Sequence, residues 1–147
     1  MAQERTGGFS MGGINMRAPL AGCRILIAED EWFLANDLQT VLKSVGADVV
    51  ALVGDLDDAQ AQVARGEFDL GIIDINLRGR HAFGLADELQ RQGRPFVFFT
   101  GYGAEIIPAR FADVARIEKP FDLHTLSRYV LQLWQRGTET KPESQSS

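Results

Sequence analysis

Short apolar runs alternate along this chain with longer stretches of mixed polarity. Three runs, at residues 24–28, 70–73 and 96–99, are almost entirely apolar, and each is followed directly by polar residues. Strands that are buried on both faces show such continuous apolar runs, whereas a sheet with one wet face shows alternation. The pattern therefore predicts three central strands of a parallel sheet.

The stretches between these runs have helical spacing. Apolar residues between 34 and 45 fall at i, i+4, i+7, i+8 and i+11, which places them on one helix face. Gly46 follows where a helix commonly ends, and Asp55 and Gly66 bracket a second, weaker pattern as N-cap and terminator. The other predicted elements are strands at 48–53, 69–74 and 114–118, a helix with Phe83, Ala86 and Leu89 inward, a short turn of helix from Pro108, and a last helix capped by Asp122.

Five strands that alternate with helices predict a doubly wound α/β sheet with right-handed crossovers. In such sheets ligands bind outside the carboxyl ends of the strands, where the chain order reverses. Acidic residues follow the first and third strands, and these strands are neighbours if the acids share one crevice. The expected fold is therefore a flavodoxin-like five-stranded parallel sheet of order 2-1-3-4-5, with helices on both faces.

The chain is predicted to form one domain with two tails. Its 147 residues suffice for a single hydrophobic core. Residues 1–21 are rich in glycine and lack periodicity, so we expect a flexible tail there. The packed domain is expected at 22–136, and the polar residues 137–147 are expected to be disordered. No output domain is expected.

Composition narrows the class of protein. The net charge of −5, without a basic block, argues against a nucleic-acid-binding surface. The single cysteine, Cys23, cannot form an internal disulfide and is expected to be buried at the first strand. No apolar run approaches the roughly 20 residues of a membrane span, and the amino terminus does not resemble a signal peptide. We expect a cytoplasmic protein that does not contact a membrane.

The polar residues at the strand ends predict a site that handles phosphate. Glu29, Asp30 and Asp74 would lie close together, and such like charges raise a carboxyl pKa unless a cation intervenes. Mg²⁺ favours carboxylate oxygens and is often completed by phosphate, and Lys119 follows the fifth strand. One carboxylate in such a site can act as a covalent nucleophile.

Residues 22 to about 135 resemble the receiver domain of bacterial two-component response regulators. The resemblance is carried by Glu29-Asp30, Asp74, Thr100 and Lys119-Pro120, in order at the ends of strands one, three, four and five. It implies that Asp74 is the phosphoacceptor and that Thr100 and Lys119 contact phosphoryl oxygens.

The same resemblance implies a magnesium site. Asp30 and Asp74 would bind Mg²⁺ directly, Glu29 would bind through water, and the main-chain carbonyl of Asn76 would complete the shell. The Lys119–Pro120 peptide bond is expected to be cis, as is usual in the family.

A narrower resemblance is visible around the fourth strand. Residues 95–102 are similar to the PFxFATGY signature of a subgroup of single-domain receivers, with Phe99 in place of the alanine. Receivers mostly carry an aromatic switch residue three positions before the lysine, where this chain has Arg116. We therefore expect Thr100, Tyr102 and Arg116 to form the switch, with Tyr102 reorienting on phosphorylation.

The leading hypothesis is a stand-alone receiver, not an enzyme on other substrates, that accepts a phosphoryl group from a histidine kinase or a histidine phosphotransfer protein. It would signal by protein contact or act as a phosphate sink. One alternative is a Mg²⁺-dependent phosphohydrolase with an aspartyl-phosphate intermediate, which would want an acid where Asn76 stands. Another is a pseudo-receiver that binds partners without being phosphorylated.

Overall fold

Five parallel strands form the centre of the molecule in the computed structural model, which describes residues 10–11, 14–15, 18–101, 107–120 and 122–146, with side chains up to residue 137. The strands are β1 (Arg24–Ala28), β2 (Asp48–Val53), β3 (Leu70–Asp74), β4 (Phe96–Thr100) and β5 (Arg116–Glu118). Their order in the sheet is β2-β1-β3-β4-β5. The predicted order 2-1-3-4-5 and the flavodoxin-like fold are confirmed.

Helices connect the strands and cover both faces of the sheet. Asp55 caps the second of them by accepting a hydrogen bond from the Asp58 N–H at 2.8 Å, and Gly66 ends it in the left-handed region, both as predicted. Between β4 and β5, the described residues 107–115 contain one 3₁₀ turn, Ala109–Phe111, which follows Pro108. The helices are α1 (Trp32–Ser44), α2 (Leu56–Arg65), α3 (Phe83–Arg91) and α4 (Leu123–Ser146).

The sheet divides the core into two apolar layers. Successive side chains of a strand point to opposite faces, so Ile25 and Ile27 face one layer and Leu26 and Ala28 face the other. α2 and α3 close the layer that contains Leu26, whereas α1 and α4 close the layer that contains Ile25. Because both faces are covered there, the central strands β1, β3 and β4 are almost entirely apolar, as the sequence indicated. The edge strands β2 and β5 are partly exposed.

Phenylalanine rings fill the layer beneath the short β4–β5 connection. Phe111 is fully buried, with its ring centroid 5.6 Å from that of Phe98 and 5.9 Å from that of Phe83. The Arg110 guanidinium lies over the Phe111 ring and donates to both carboxylate oxygens of Asp87 on α3, at 2.7 and 3.0 Å. This turn thus anchors the described part of the connection to the core and to α3.

The sheet edge where the strands begin is tied by arginines. Arg94, just before β4, donates to the carbonyl oxygens of Gly66 (2.7 Å) and Phe68, and its guanidinium lies 4.9 Å from the Phe68 ring centroid. Arg24 forms a two-pronged pair with Asp69, with both N···O distances at 3.1 Å. These contacts join segments that are distant in sequence.

The packed domain begins earlier than predicted. Leu20 is buried in the layer beneath α1, and its N–H donates to the carbonyl of Val45 at 2.9 Å, so the predicted boundary at residue 22 falls too late. The residues around Leu20 are mostly small, so no periodic pattern in the sequence identifies it as buried. The described residues farther upstream include an antiparallel pair, Ser10–Met11 with Ile14–Asn15.

The last helix differs from its predicted end at Gly137. Its backbone continues to Ser146, so residues 137–146 are helical rather than a disordered tail. A glycine costs a helix only about 1 kcal/mol relative to alanine, and extension of a formed helix needs no new nucleus. In the parts of the chain that the structure describes, no helix is long and apolar enough to cross a membrane.

Cys23 is buried at the start of β1, as predicted. Burial, with a smaller contribution from the charge of Asp69, raises the pKa of its thiol to about 12. The thiol therefore stays protonated at neutral pH and packs as a small apolar group.

Candidate functional site

The carboxyl ends of β1, β3, β4 and β5 meet at an open cleft of about 770 Å³. Asp30, Asp74, Asn76 and Lys119 are among the residues that line it. Glu29, Asp74 and Thr100 are polar but buried, with 2, 4 and 2% of their surface exposed. The structure thus brings the residues at the predicted strand ends together.

Lys119 is the centre of the charge cluster. Its Nζ lies 2.8 Å from Asp74 Oδ2, 3.0 Å from Glu29 Oε1 and 3.5 Å from Glu31 Oε2. The main-chain N–H of Lys119 donates to the Thr100 carbonyl at 2.9 Å, and this bond fixes the end of β5 against β4. The peptide bond between Lys119 and Pro120 is cis, as expected.

Glu29 is the most perturbed acid of the cluster. Burial raises the pKa of its carboxyl from 4.5 to about 8; the charge of Asp74 adds to the rise, while the N–H of Glu31, at 2.9 Å from Oε2, and Lys119 oppose it. Oε1 is buried and accepts no well-aligned hydrogen bond, although it lies near the ammonium. Burial alone would lower the Lys119 pKa, but Asp74 and Glu29 together raise it above its usual range.

A small hairpin positions the two remaining acids. Asn76–Leu77 pairs with Arg80–His81, and both turn residues, Arg78 and Gly79, have positive φ. The N–H of Asn76 donates to Asp74 Oδ1, and the N–H of Arg78 donates to Asp30 Oδ2, both at 2.9 Å. The hairpin therefore holds the ends of β3 and β1 in register across the cleft.

The sequence alone predicts only a loop, residues 76–80, at this hairpin. An Arg-Gly turn is not among the strong hairpin signals, which have Asn, Asp or Gly in the first turn position. The available signal was Gly79 three residues after Asn76, whose side-chain oxygen accepts the Gly79 N–H at 2.7 Å.

The predicted switch residues are only partly placed. Thr100 ends β4, is buried, and pairs in register with Glu118, and the next residue, Gly101, lines the cleft. Arg116 is exposed at the start of β5 opposite Phe98 and is not among the cleft-lining residues. Tyr102 lies outside the described residues, so its reorientation stays a prediction.

The donor atoms fit a hard divalent cation. Among the described side chains, carboxyl oxygens of Glu29, Asp30 and Glu31 lie within 4.8 Å of one another, and Asp74 faces them across a single lysine. All available donors are oxygens, the ligands that Mg²⁺ prefers. A cation beside them would also stabilise the charged form of Glu29, which burial alone disfavours.

The comparison with known proteins agrees with this geometry. A family model described as the response regulator receiver domain matches residues 25–131. The chain belongs to the response regulator receiver family. Receivers in general bind Mg²⁺ and exchange phosphoryl groups with histidine kinases or phosphotransfer proteins.

Similar curated proteins include two bacterial regulators. The receiver is 30% identical over 107 residues to the transcriptional regulatory protein PdtaR of Mycobacterium tuberculosis. This alignment covers 70% of the chain and 52% of PdtaR. It is 37% identical over 122 residues to the two-component response regulator PhoP of Pseudomonas aeruginosa, which covers 78% of the chain and 53% of PhoP. The chain thus spans about half the length of these relatives.

Solved structures share the fold. The solution structure of SdrG from Sphingomonas melonis Fr1 matches with a TM-score of 0.68 and 33% identity, over 76% of this receiver and 96% of the SdrG chain. The response regulator PhyR from Brucella abortus matches with a TM-score of 0.69 and 21% identity, over 86% of this receiver and 54% of that chain. At that identity the PhyR likeness concerns the fold alone.

Two features at the cleft rim were missed or left open by the sequence. Glu31 contacts Lys119, although its position before α1 suggested only the end of a strand. From the sequence, Trp32 and Phe33 are interpreted as helix-packing or rim groups rather than as a platform for a ligand. Their side chains are 66 and 79% exposed and contact each other edge to face at 5.2 Å. Phe33 lines the cleft, so these rings belong to the rim.

Proposed function

We propose that this receiver accepts a phosphoryl group on Asp74 from the phosphohistidine of a histidine kinase or phosphotransfer protein. One observation carries the proposal. Asp74 is a nearly buried carboxylate that faces an open cleft, with one oxygen held by the Asn76 N–H and the other 2.8 Å from an ammonium. A carboxylate so placed is oriented for attack and is adjacent to a cation that can stabilise phosphoryl oxygens.

The transfer needs little from the protein beyond orientation and charge. An Asp74 oxygen forms a bond to phosphorus, the phosphorus–nitrogen bond breaks, and its electron pair stays on that ring nitrogen. The imidazole leaves neutral because its other ring nitrogen already carries a proton. Lys119 then pairs with a phosphoryl oxygen instead of the carboxyl group that is now bonded to phosphorus. The Thr100 hydroxyl, at the end of the neighbouring strand, donates to a second phosphoryl oxygen. The product is an acyl phosphate on this chain, so no other substrate is turned over.

Asp30, Asp74 and the carbonyl of Asn76 would hold Mg²⁺, with Glu29 acting through a water molecule. The ion supplies charge neutralisation for the phosphoryl oxygens. The hydrogen bonds from the Asn76 N–H to Asp74 and from the Arg78 N–H to Asp30 support this role, because they orient the two carboxylates.

We further propose that the receiver acts in the cytoplasm as a single-domain regulator. The match over 96% of the SdrG chain, at 33% identity, supports this proposal. Such a receiver would signal by direct protein contact or act as a phosphate sink. Thr100, Tyr102 and Arg116 remain the proposed switch residues.

The test is intact-mass analysis of the purified chain after incubation with acetyl phosphate and Mg²⁺. Wild-type protein should gain the mass of one phosphoryl group, and Asp74→Asn should gain none. Asp37→Asn is the matched control, because Asp37 lines the same cleft but makes no contact with Lys119 in the structure. Uptake by Asp74→Asn would overturn the assignment, and multiple turnovers of small phosphate esters would favour the phosphohydrolase.

A further inference from the structure

Glu31 occupies the N-cap position of α1 but does not cap the helix. Its backbone is extended (φ −88°, ψ 107°), the geometry of a cap residue, yet its side chain accepts no hydrogen bond from the first turn. A capping side chain normally satisfies one of the free N–H groups there. The carboxylate instead turns towards the cleft, where Oε2 lies 3.5 Å from Lys119 Nζ.

This contact completes the surroundings of the Lys119 ammonium. An ammonium has three N–H groups, and Lys119 has three carboxylates within 3.5 Å. Asp74 and Glu29 are buried, with side chains 6 and 0% exposed, whereas the Glu31 side chain is 63% exposed. Glu31 is therefore the outermost partner, on the side from which a phosphoryl donor must approach.

We propose that Glu31 is a specificity-determining residue that discriminates against free anionic phosphodonors. The inference rests on the proposed phosphorylation of Asp74. Glu31 occupies the outward side of the ammonium that would otherwise meet an incoming phosphoryl oxygen, and its charge repels an anion at the mouth of the cleft. Both effects lower the rate at which a small anionic donor phosphorylates Asp74.

A protein donor can relieve this competition where a small molecule cannot. A basic side chain beside the phosphohistidine would pair with Glu31 and release the ammonium towards the phosphoryl group. Asp37, which is exposed and lines the same cleft, adds to the negative rim. The structure thus favours a donor whose docking surface is basic next to the phosphohistidine.

The experiment follows the rate of phosphorylation by acetyl phosphate, measured by intact mass. In this reaction an Asp74 oxygen bonds to phosphorus, the bond from phosphorus to the acyl oxygen breaks, and acetate leaves with the electron pair. Wild type, Glu31→Gln and Asp48→Asn are compared at low and high salt, at Mg²⁺ concentrations where each rate has reached its plateau. Asp48→Asn is the control, because it removes the same charge from an exposed residue at the start of β2, at the end of the strand opposite the cleft.

Glu31→Gln should raise the rate about two- to fivefold at low salt, the range expected for a partly exposed ion pair. The gain should shrink in 1 M salt, where the Debye length is about 3 Å. Asp48→Asn should match wild type. A purely structural role for Glu31 would not produce this salt dependence.

An unchanged or slower rate for Glu31→Gln, while wild type is phosphorylated on Asp74, overturns the role of Glu31 alone. A gain that disappears once Mg²⁺ is saturating also overturns it, because the effect would then lie in metal affinity. Failure of wild type to take up phosphate, or uptake by Asp74→Asn, instead removes the proposed function itself.

Discussion

Replacing Glu29 by glutamine should make the stability of the metal-free protein less dependent on pH. Glu29 is buried beside Asp74, and burial raises its pKa from 4.5 to about 8. Glutamine has nearly the same shape and still accepts the N–H of Glu31, but it does not titrate. The substitution therefore isolates the cost of placing one charge in the cluster.

The sign follows from the raised pKa. The folded protein holds the Glu29 proton more tightly than the unfolded chain, so this contribution to the unfolding free energy is fully present below pH 4.5. It is lost as the pH rises from about 4.5 through about 8. At 1.36 kcal/mol for each pKa unit, the loss in wild type relative to Glu29→Gln should be about 5 kcal/mol as an order of magnitude.

The assay is urea unfolding in EDTA at several pH values between 5 and 9, followed by circular dichroism. Wild type should lose unfolding free energy across this range more steeply than Glu29→Gln. Glu67→Gln is the control, because the Glu67 side chain is 68% exposed. Saturating Mg²⁺ should flatten the wild-type profile, since a cation favours the ionised carboxyl. Equal pH slopes for wild type and Glu29→Gln in EDTA would refute the reasoning.

Two further substitutions test the core and the metal site. Phe111→Ala should lower the unfolding free energy by about 3–5 kcal/mol, because it removes a fully buried ring. Phe33→Ala is the control and should lower it far less, because the Phe33 side chain is 79% exposed. Equal losses of the two variants in urea unfolding would contradict the described packing. Mg²⁺ at a hundredfold excess over Kd should stabilise wild type by about 2.7 kcal/mol. Asp30→Asn should lose most of that gain, and a wild-type melting temperature that ignores Mg²⁺ would argue against the metal site.

The central strands could be predicted because burial on both faces leaves a direct mark on the sequence. The central strands β1 and β4 form at the predicted residues, 24–28 and 96–100, and β3 forms at 70–74, one residue shorter than predicted. The polar residues at their ends include Asp30, Asp74 and Thr100. The parallel topology then requires these ends to converge. Burial and topology together therefore predicted where the polar residues gather.

Contacts formed by single side chains left no such mark. Leu20 and Phe111 are anchors within irregular segments, where no periodic pattern identifies a buried residue. Glu31 carries a charge in a run of acids, so its turn towards Lys119 depends on the direction of the chain as it enters α1. These features depend on tertiary geometry, which a pattern in the sequence does not encode locally.

The clamp formed by Arg94 couples two positions during sequence divergence. Gly66 ends α2 with φ +66°, and a Cβ added there would lie 3.0 Å from Arg94 Nη2. A larger residue at 66 therefore disturbs the guanidinium, and loss of the guanidinium leaves the carbonyls of Gly66 and Phe68 without this donor. A substitution at either position is therefore unfavourable while the other residue is retained. Viable lineages should therefore keep the glycine and the arginine as a pair or exchange them together.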